Sequence, residues 1–411
     1  MKKFFAILLL PFCLVSCDNI GSTRVRNLID LTPRLEVESP KAHLFSTGKE
    51  NPFKGEKTHS YTISRKPLIA QPAIAKNVMY SIDREGYVSA FSLKEKKFLW
   101  VKDVAGNEVD RHFNSGGVLF SDGKLYVTHG TRNLVVLDAE NGREIIRKEF
   151  PDILRSKPVM ADDKLLLVQT VSNQLIAYNI KTSKLIWMHE GGIEVISAKN
   201  QVNPVIHNGH VLVSYSSGEV VYLNASNGSE VWRYSLSNQE DLGLPSFDPS
   251  VIVTKPIISN NFVYFATSNG KIIKLNITDG EEVWVKIADD VRSMVLHDNS
   301  LIVTNNARQV VVLSALDGKV NWVGELISVK ERSSKKPKPV MFLDPFVAKD
   351  GNIYTLNVIG SNGELYKFTT NEAGQLPEQP VISKIDNHLE YYWISCCNGA
   401  MHLISKKQVR F

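Results

Sequence analysis

Val220–Trp232 reads VVYLNASNGSEVW, Ile272–Trp284 reads IIKLNITDGEEVW, and Val310–Trp322 reads VVVLSALDGKVNW. Each stretch is an apolar run, a polar turn holding a glycine, and a strand ending in tryptophan. The unit recurs about every 45 residues along most of the chain, a period that signals a repeat architecture. Such a unit buries its apolar face only by stacking on a neighbour, so the repeats are scaffold and function falls to the connecting loops.

Seven blades can be marked out, over 72–104, 116–150, 157–191, 203–236, 255–288, 291–326 and 338–383. Short spans of period-2 alternation within each one indicate four strands per blade. Asn141-Gly142, Asn227-Gly228, Asp279-Gly280 and Asp317-Gly318 supply hairpin turns whose two central residues are expected at positive φ. Four residues after each glycine stands Ile146, Trp232, Trp284 or Trp322, while Trp100 and Trp187 follow turns in which Lys96 and Ser183 replace the glycine. A large flat side chain at a fixed strand position suits packing between blades, so Trp100, Trp187, Trp232, Trp284 and Trp322 are expected there. The tail Tyr391–Lys406 holds only two or three strands, and Ser60–Arg65 is a spare strand ahead of blade one. Joined, they complete an eighth blade and remove the open edges. The expected fold is therefore all-β, an eight-bladed β-propeller of four-stranded repeats closed by N- and C-terminal strands. It fills 60–411 as a single monomeric domain.

The start of the chain has a different character. Lys2 and Lys3 precede an apolar run from Phe4 to Val15, too short for a stable span, and the pattern is that of a secretory signal over 1–16. Leu14-Val15-Ser16-Cys17 resembles the bacterial lipobox, which implies lipidation of Cys17 and firm anchoring through more than one acyl chain. Residues 17–59 lack periodicity and are expected to form a flexible tether. Asp18 follows the anchor, a position where aspartate can favour the inner membrane over the outer. A net charge of +5, of which Lys2 and Lys3 contribute two units, is too small and dispersed to indicate nucleic acid.

The repeat resembles the pyrroloquinoline-quinone-type propeller repeat, close to A-x-D-x-x-T-G-x-x-x-W, as Val136–Gly142 and its cognates show. That likeness implies an alternative: a quinoprotein dehydrogenase holding the quinone over calcium, with Cys396-Cys397 as the vicinal disulfide such enzymes place against the cofactor. The chain is close to bare repeats, however, and carries no Glu/Asn/Asp cluster suited to calcium. Cys396-Cys397 also lies in the last repeat rather than an early one, where it equally suits two small residues at a strand end. The ten histidines show no paired ligand spacing. No metal, cofactor or catalytic residue is therefore expected. The basic loop Lys330–Lys338 is expected to be a solvated connection.

Lipobox, tether and eight short blades together resemble the BamB family, lipoprotein subunits of the outer-membrane β-barrel assembly machinery. The likeness covers roughly residues 14–405 and is carried by Gln71–Trp100, Lys157–Trp187 and the blade-linking loops. It implies a non-catalytic scaffold facing the periplasm from the outer membrane. The scaffold would bind the POTRA domains of the barrel-inserting subunit BamA beside other subunits, and possible clients are unfolded outer-membrane proteins. In the family, an apolar-x-apolar-basic motif in the third-to-fourth blade link contacts POTRA domains. Its positions here are Ile196, Ser197, Ala198 and Lys199. The next link is acidic in the family before its proline, whereas this chain has Val251-Ile252-Val253-Thr254, with Asp241 and Asp248 shifted away. Partner contact is thus expected at Ile196, Ala198, Lys199, Val251 and Val253, more apolar than acidic. A propeller binding another envelope component is the remaining alternative.

Overall fold

The computed structural model describes residues 34–45, 58–64, 66–106, 113–192, 202–236, 250–288, 290–327, 340–385, 389–394 and 401–405. Every named element among them is a strand, and no helix among them is long and apolar enough to cross a membrane.

Second and third strands of most blades are largely buried on both faces because a blade is sandwiched between two others. Leu165–Gln169 (LLLVQ) is buried at all five positions, and Gln309–Ser314 (QVVVLS) at all six. Burying one such valine or leucine contributes about 1.5–3 kcal/mol, so each inter-blade seam is a hydrophobic core of its own. The result is seven four-stranded sheets in chain order plus one three-stranded sheet.

Blade one runs from Ala73–Ala75 to Lys97–Asp103, blade two from Gly117–Ser121 to Glu144–Glu149, and blade three from Val159–Met160 to Lys184–Glu190. Blade four runs from Val205–His207 to Glu230–Ser235 and blade five from Ile257–Ser259 to Glu282–Ile287. Blade six spans Val291–His297 to Val320–Glu325, and blade seven Phe346–Asp350 to Val381–Lys384. Blade seven starts eight residues later than its expected bound at 338. Phe342 makes only an isolated bridge to Gly360, and Pro345, lacking an N–H, stands just ahead of the first strand.

The eighth sheet joins Leu389–Ile394, Met401–Ser405 and Thr58–Tyr61, so both ends of the chain seal the ring. It has three strands rather than four. Thr58–Tyr61 pairs parallel with Met401–Ser405, two residues ahead of the expected Ser60 start. Tyr61 and Ile63 then bury against Met79 and Phe91 of blade one.

Two expectations need correction. The turn glycines do not sit in two-residue turns with positive φ at both centres. In Asp138–Gly142 only Gly142 is left-handed, at φ 72°, and its N–H donates to Asp138 O at 2.9 Å. Asp138 Oδ1 meanwhile accepts from the N–H groups of Glu140 and Asn141. A single helical winding closed by one left-handed residue is the lower-energy solution for this longer loop, and Lys96 and Ser183 take that left-handed role where glycine is absent. Nor do the tryptophans end their strands, since Trp232 is the third residue of Glu230–Ser235.

The tether expected over 17–59 is not free throughout. Residues 34–45 lie as a strap along the outer strand of blade six. Gln309 clamps Leu35, its Oε1 accepting from Leu35 N at 3.0 Å and its Nε2 donating to Leu35 O at 3.1 Å. Glu38 and Ser39 donate backbone N–H groups to Val320 O, and Ser300 Oγ donates to Leu44 O. Leu44 and Phe45 are buried among Trp322, Tyr354 and Leu356, between blades six and seven. The ion pairs Arg34–Glu325 and Glu38–Lys286 fix the strap's first half.

Candidate functional site

One hydrogen-bond pattern assigns the loops to faces. Where the fourth strand ends, a backbone N–H donates to the carbonyl of the second-to-third turn of its own blade: Val104 to Gly86, Phe150 to Arg132, Gly191 to Asn173, Leu236 to Gly218, Ala288 to Gly270, Leu326 to Arg308, and Ile385 to Gly363. Blade-to-blade links and second-to-third turns therefore share a face. The remaining turns share the other, where Ala139 N bonds Gly123 O, Ala225 N bonds Gly209 O, and Ala315 N bonds Asn299 O.

The links on either side of blade four have stiffly held stems. The Asn173 carboxamide donates to Gly192 O at 3.2 Å and accepts from Ser216 N at 3.0 Å, tying blade three to the link and to blade four. Gly191 lies flat on the Tyr215 ring, where a Cβ would come within 2.4 Å of Cγ. Tyr215 OH and His189 Nδ1 share a hydrogen bond of 2.8 Å beneath it, and burial raises the phenol well above its ordinary value. Glu219 accepts from Ser217 Oγ at 2.7 Å and from Gly192 N, and pairs with Arg233. Burial alone would raise this carboxyl, yet those donors outweigh it and hold Glu219 below the usual carboxylate range. The stem of the following link is held from Val251, whose N–H donates to Ser268 Oγ and whose carbonyl accepts from Ser268 N at 2.8 Å.

Inside the ring, the first strands of blades four, five and six line an axial cavity of about 540 Å³ that takes in Val205, Val253, Lys255, Met294 and Asp344. Gln71, Lys157, Asn203, Lys255 and Asp344 each stand immediately before a proline leading into a first strand. Lys157 N donates to Asn203 Oδ1 at 3.0 Å, linking two adjacent members of this polar rim. Burial, assisted by the like charge of Lys255, lowers the Lys157 ammonium pKa. Asp344 lines this cavity with its side chain exposed. The surrounding protein raises its carboxyl, partly opposed by Lys255. Among the described residues no group of three or more His, Cys, Asp or Glu side chains could hold a metal ion.

The family model described as outer membrane protein assembly factor BamB matches residues 84–323 and again 246–390. The chain belongs to the BamB family. A BamB of Shewanella oneidensis is 22% identical over 318 residues, covering 76% of this chain and 79% of its own length. BamB of Escherichia coli is 25% identical over 296 residues, covering 70% and 73% respectively. An uncharacterized protein of Rickettsia conorii is 41% identical over 404 residues, 97% of either chain. The crystal structure of BamB from Moraxella catarrhalis superposes with a TM-score of 0.63 at 17% identity, covering 81% of this chain and 93% of that one, which establishes the shared fold.

Of the expected contact residues in this BamB-family chain, Ile196, Ala198 and Lys199 lie outside the described residues, as do Cys17, Asp18, Asp241, Asp248, the loop 330–338 and Cys396-Cys397. Val251 is half-buried on the link stem. Val253 is 37% exposed and lines the axial cavity, so these two valines face different surroundings.

The five tryptophans stand at the seams, each donating its indole N–H to a turn carbonyl of the next blade. Trp100 bonds Ala139 O at 3.1 Å, Trp187 bonds Ala225 O at 3.0 Å, Trp232 bonds Ile277 O at 2.7 Å, Trp284 bonds Ala315 O at 3.4 Å, and Trp322 bonds Leu376 O at 3.2 Å. Sequence reasoning missed the strap and the polar rim. The recurring X-Pro dipeptide ahead of first strands was the available signal for the rim.

Proposed function

We propose that this chain is a non-catalytic scaffold, lipid-anchored through Cys17 in the outer membrane and facing the periplasm. In this reading it binds POTRA domains of BamA and assists assembly of β-barrel proteins. The observation supporting it most is BamB-family membership across the blades, joined to a loop face whose stems are braced around blade four. A braced stem limits the ordering entropy lost when a loop meets a partner. The third-to-fourth blade link would supply Ile196, Ala198 and Lys199, and the next would supply Val251. Asp344, Lys255 and Lys157 keep the axial channel polar, which suits a hydrated axis rather than an apolar ligand pocket.

Affinity purification of the chain from mildly solubilised envelopes tests the reading. BamA is expected in the eluate, and its absence would count decisively against the proposal. Dye-linked alcohol oxidation after addition of quinone and calcium is expected to stay silent, and a sustained rate would overturn the non-catalytic assignment.

A further inference from the structure

The strap shows what the edge of a blade can hold, and the same receptor occurs a second time. At two successive seams the residue two positions after the tryptophan of one blade bonds the residue two positions before the tryptophan of the next. Between blades three and four these are His189 and Glu230, 3.3 Å apart, and between blades four and five Tyr234 donates to Glu282 at 2.8 Å. Between blades five and six they are Lys286 and Val320. No acid comes from blade six, and Glu38 of the strap supplies the carboxylate instead. The Lys286 ammonium holds Glu38 below the usual carboxylate range.

Between blades two and three the corresponding residues are Lys148 and Leu185, with Ile146 and Leu185 at the register positions of Trp284 and Val320. Again a lysine faces an apolar residue. Among the described residues no carboxylate lies within 4 Å of the Lys148 ammonium.

The likeness extends along the strap's path. Gln309, which clamps Leu35, is the cross-strand partner of Glu325, which pairs with Arg34. In blade three the cross-strand partners at those positions are Gln174 and Glu190. Blades one, two, four and five carry Tyr87/Asp103, Asn133/Glu149, Glu219/Ser235 and Lys271/Ile287 there instead. Gln174 donates to Glu190 of its own blade at 2.9 Å, whereas Gln309 turns to the strap.

The seam between blades two and three is also open. It lacks the indole, carrying Ile146 at 41% exposure, and Ser183 replaces the turn glycine. A cleft of about 420 Å³ lies there, lined by Arg132, Lys148, Phe150, Tyr178 and Leu185 among others. Leu185 and Ile186 are 53% and 47% exposed, while Val320 beneath the strap is fully buried.

We propose that this seam is a docking groove for an extended segment of another protein, of the pattern basic, apolar, two spacers, acidic. That is the pattern of Arg34-Leu35-Glu36-Val37-Glu38. The basic residue would meet Glu190, the backbone of the apolar residue Gln174, and the acid Lys148. The apolar side chain would cover Leu185. Recognition of this kind combines main-chain hydrogen bonds along a sheet edge with alternating side-chain contacts. The groove is separate from the loop face around blade four.

A fluorescent peptide of residues 34–45, titrated into the full chain and followed by anisotropy, tests the proposal. Saturable binding is expected, weakened at least about tenfold by Lys148→Glu, a like-charge clash at a desolvated contact. A peptide carrying Glu38→Lys should recover affinity for the Lys148→Glu protein, a rescue that a merely structural effect would not give. Absence of saturable binding overturns the proposal. So does a loss caused by Lys286→Glu but not by Lys148→Glu, which would mean exchange with the chain's own strap. A concentration-dependent oligomer in sedimentation velocity that Lys148→Glu dissolves would assign the groove to a second copy and overturn the proposed partner.

Discussion

The indole of Trp187 lies on Gly228 of the next blade so closely that a Cβ there would fall 2.6 Å from Trp187 Cε3. Gly142 meets Trp100, Gly280 meets Trp232, and Gly318 meets Trp284 in the same way. The turn glycine of one blade is thus the floor for the tryptophan of the blade before it. Gly228 is also left-handed, at φ 74°. Gly228→Ala therefore combines backbone strain with displacement of the ring and should cost about 2–4 kcal/mol. Trp187→Ala should cost about 3–5 kcal/mol through the cavity it leaves. Urea denaturation of the two single variants and the double variant should show strong non-additivity, because the clash disappears with the ring.

Residues 34–45 should behave as part of the folded body. Phe45 is buried against His297 and Tyr354, with ring centroids at 5.5 and 5.8 Å, so Phe45→Ala should cost about 3–5 kcal/mol in denaturation experiments. The Glu38–Lys286 pair is partly exposed, and Glu38→Gln should cost no more than about 1 kcal/mol. Hydrogen exchange should find the Ser39 amide protected, since it donates to Val320 O at 2.9 Å.

His129 should make stability fall with acid. Its ring is fully buried edge-on to Phe113, and burial, with a smaller push from Arg147, lowers its pKa from 6.5 to about 4. The unfolded chain thus takes up a proton before the folded one does. The associated stability is fully present above the unfolded pKa and is lost as pH falls toward about 4. The total is roughly 3 kcal/mol. Urea titrations at pH 7 and pH 4 should show this difference, reduced in His129→Gln.

Much of the ring was legible in the sequence because its information is local. Period, turn chemistry and tryptophan spacing recur within each blade, and every first-to-fourth strand span but that of blade seven begins within about two residues of its expected bound. The strap was not legible. Leu35, Glu38, Leu44 and Phe45 follow no period, and their partners lie 248 or more residues away. A faint sign existed in Val320–Glu325 (VNWVGE), which is largely buried where other outer strands such as Glu144–Glu149 expose most positions. The substitutions Ile146 and Ser183 were visible as well. That they form a single defect in one seam follows only from knowing that each blade's tryptophan packs on the glycine of the next.

Binding of the chain to a purified POTRA fragment of BamA from the same organism, measured by biolayer interferometry, tests the central claim most directly. The account predicts saturable binding by the intact chain. It also predicts loss of that binding in the Ile196→Glu, Lys199→Glu double variant, with the melting temperature unchanged. No measurable binding by the intact chain, or full binding by the double variant, would contradict it.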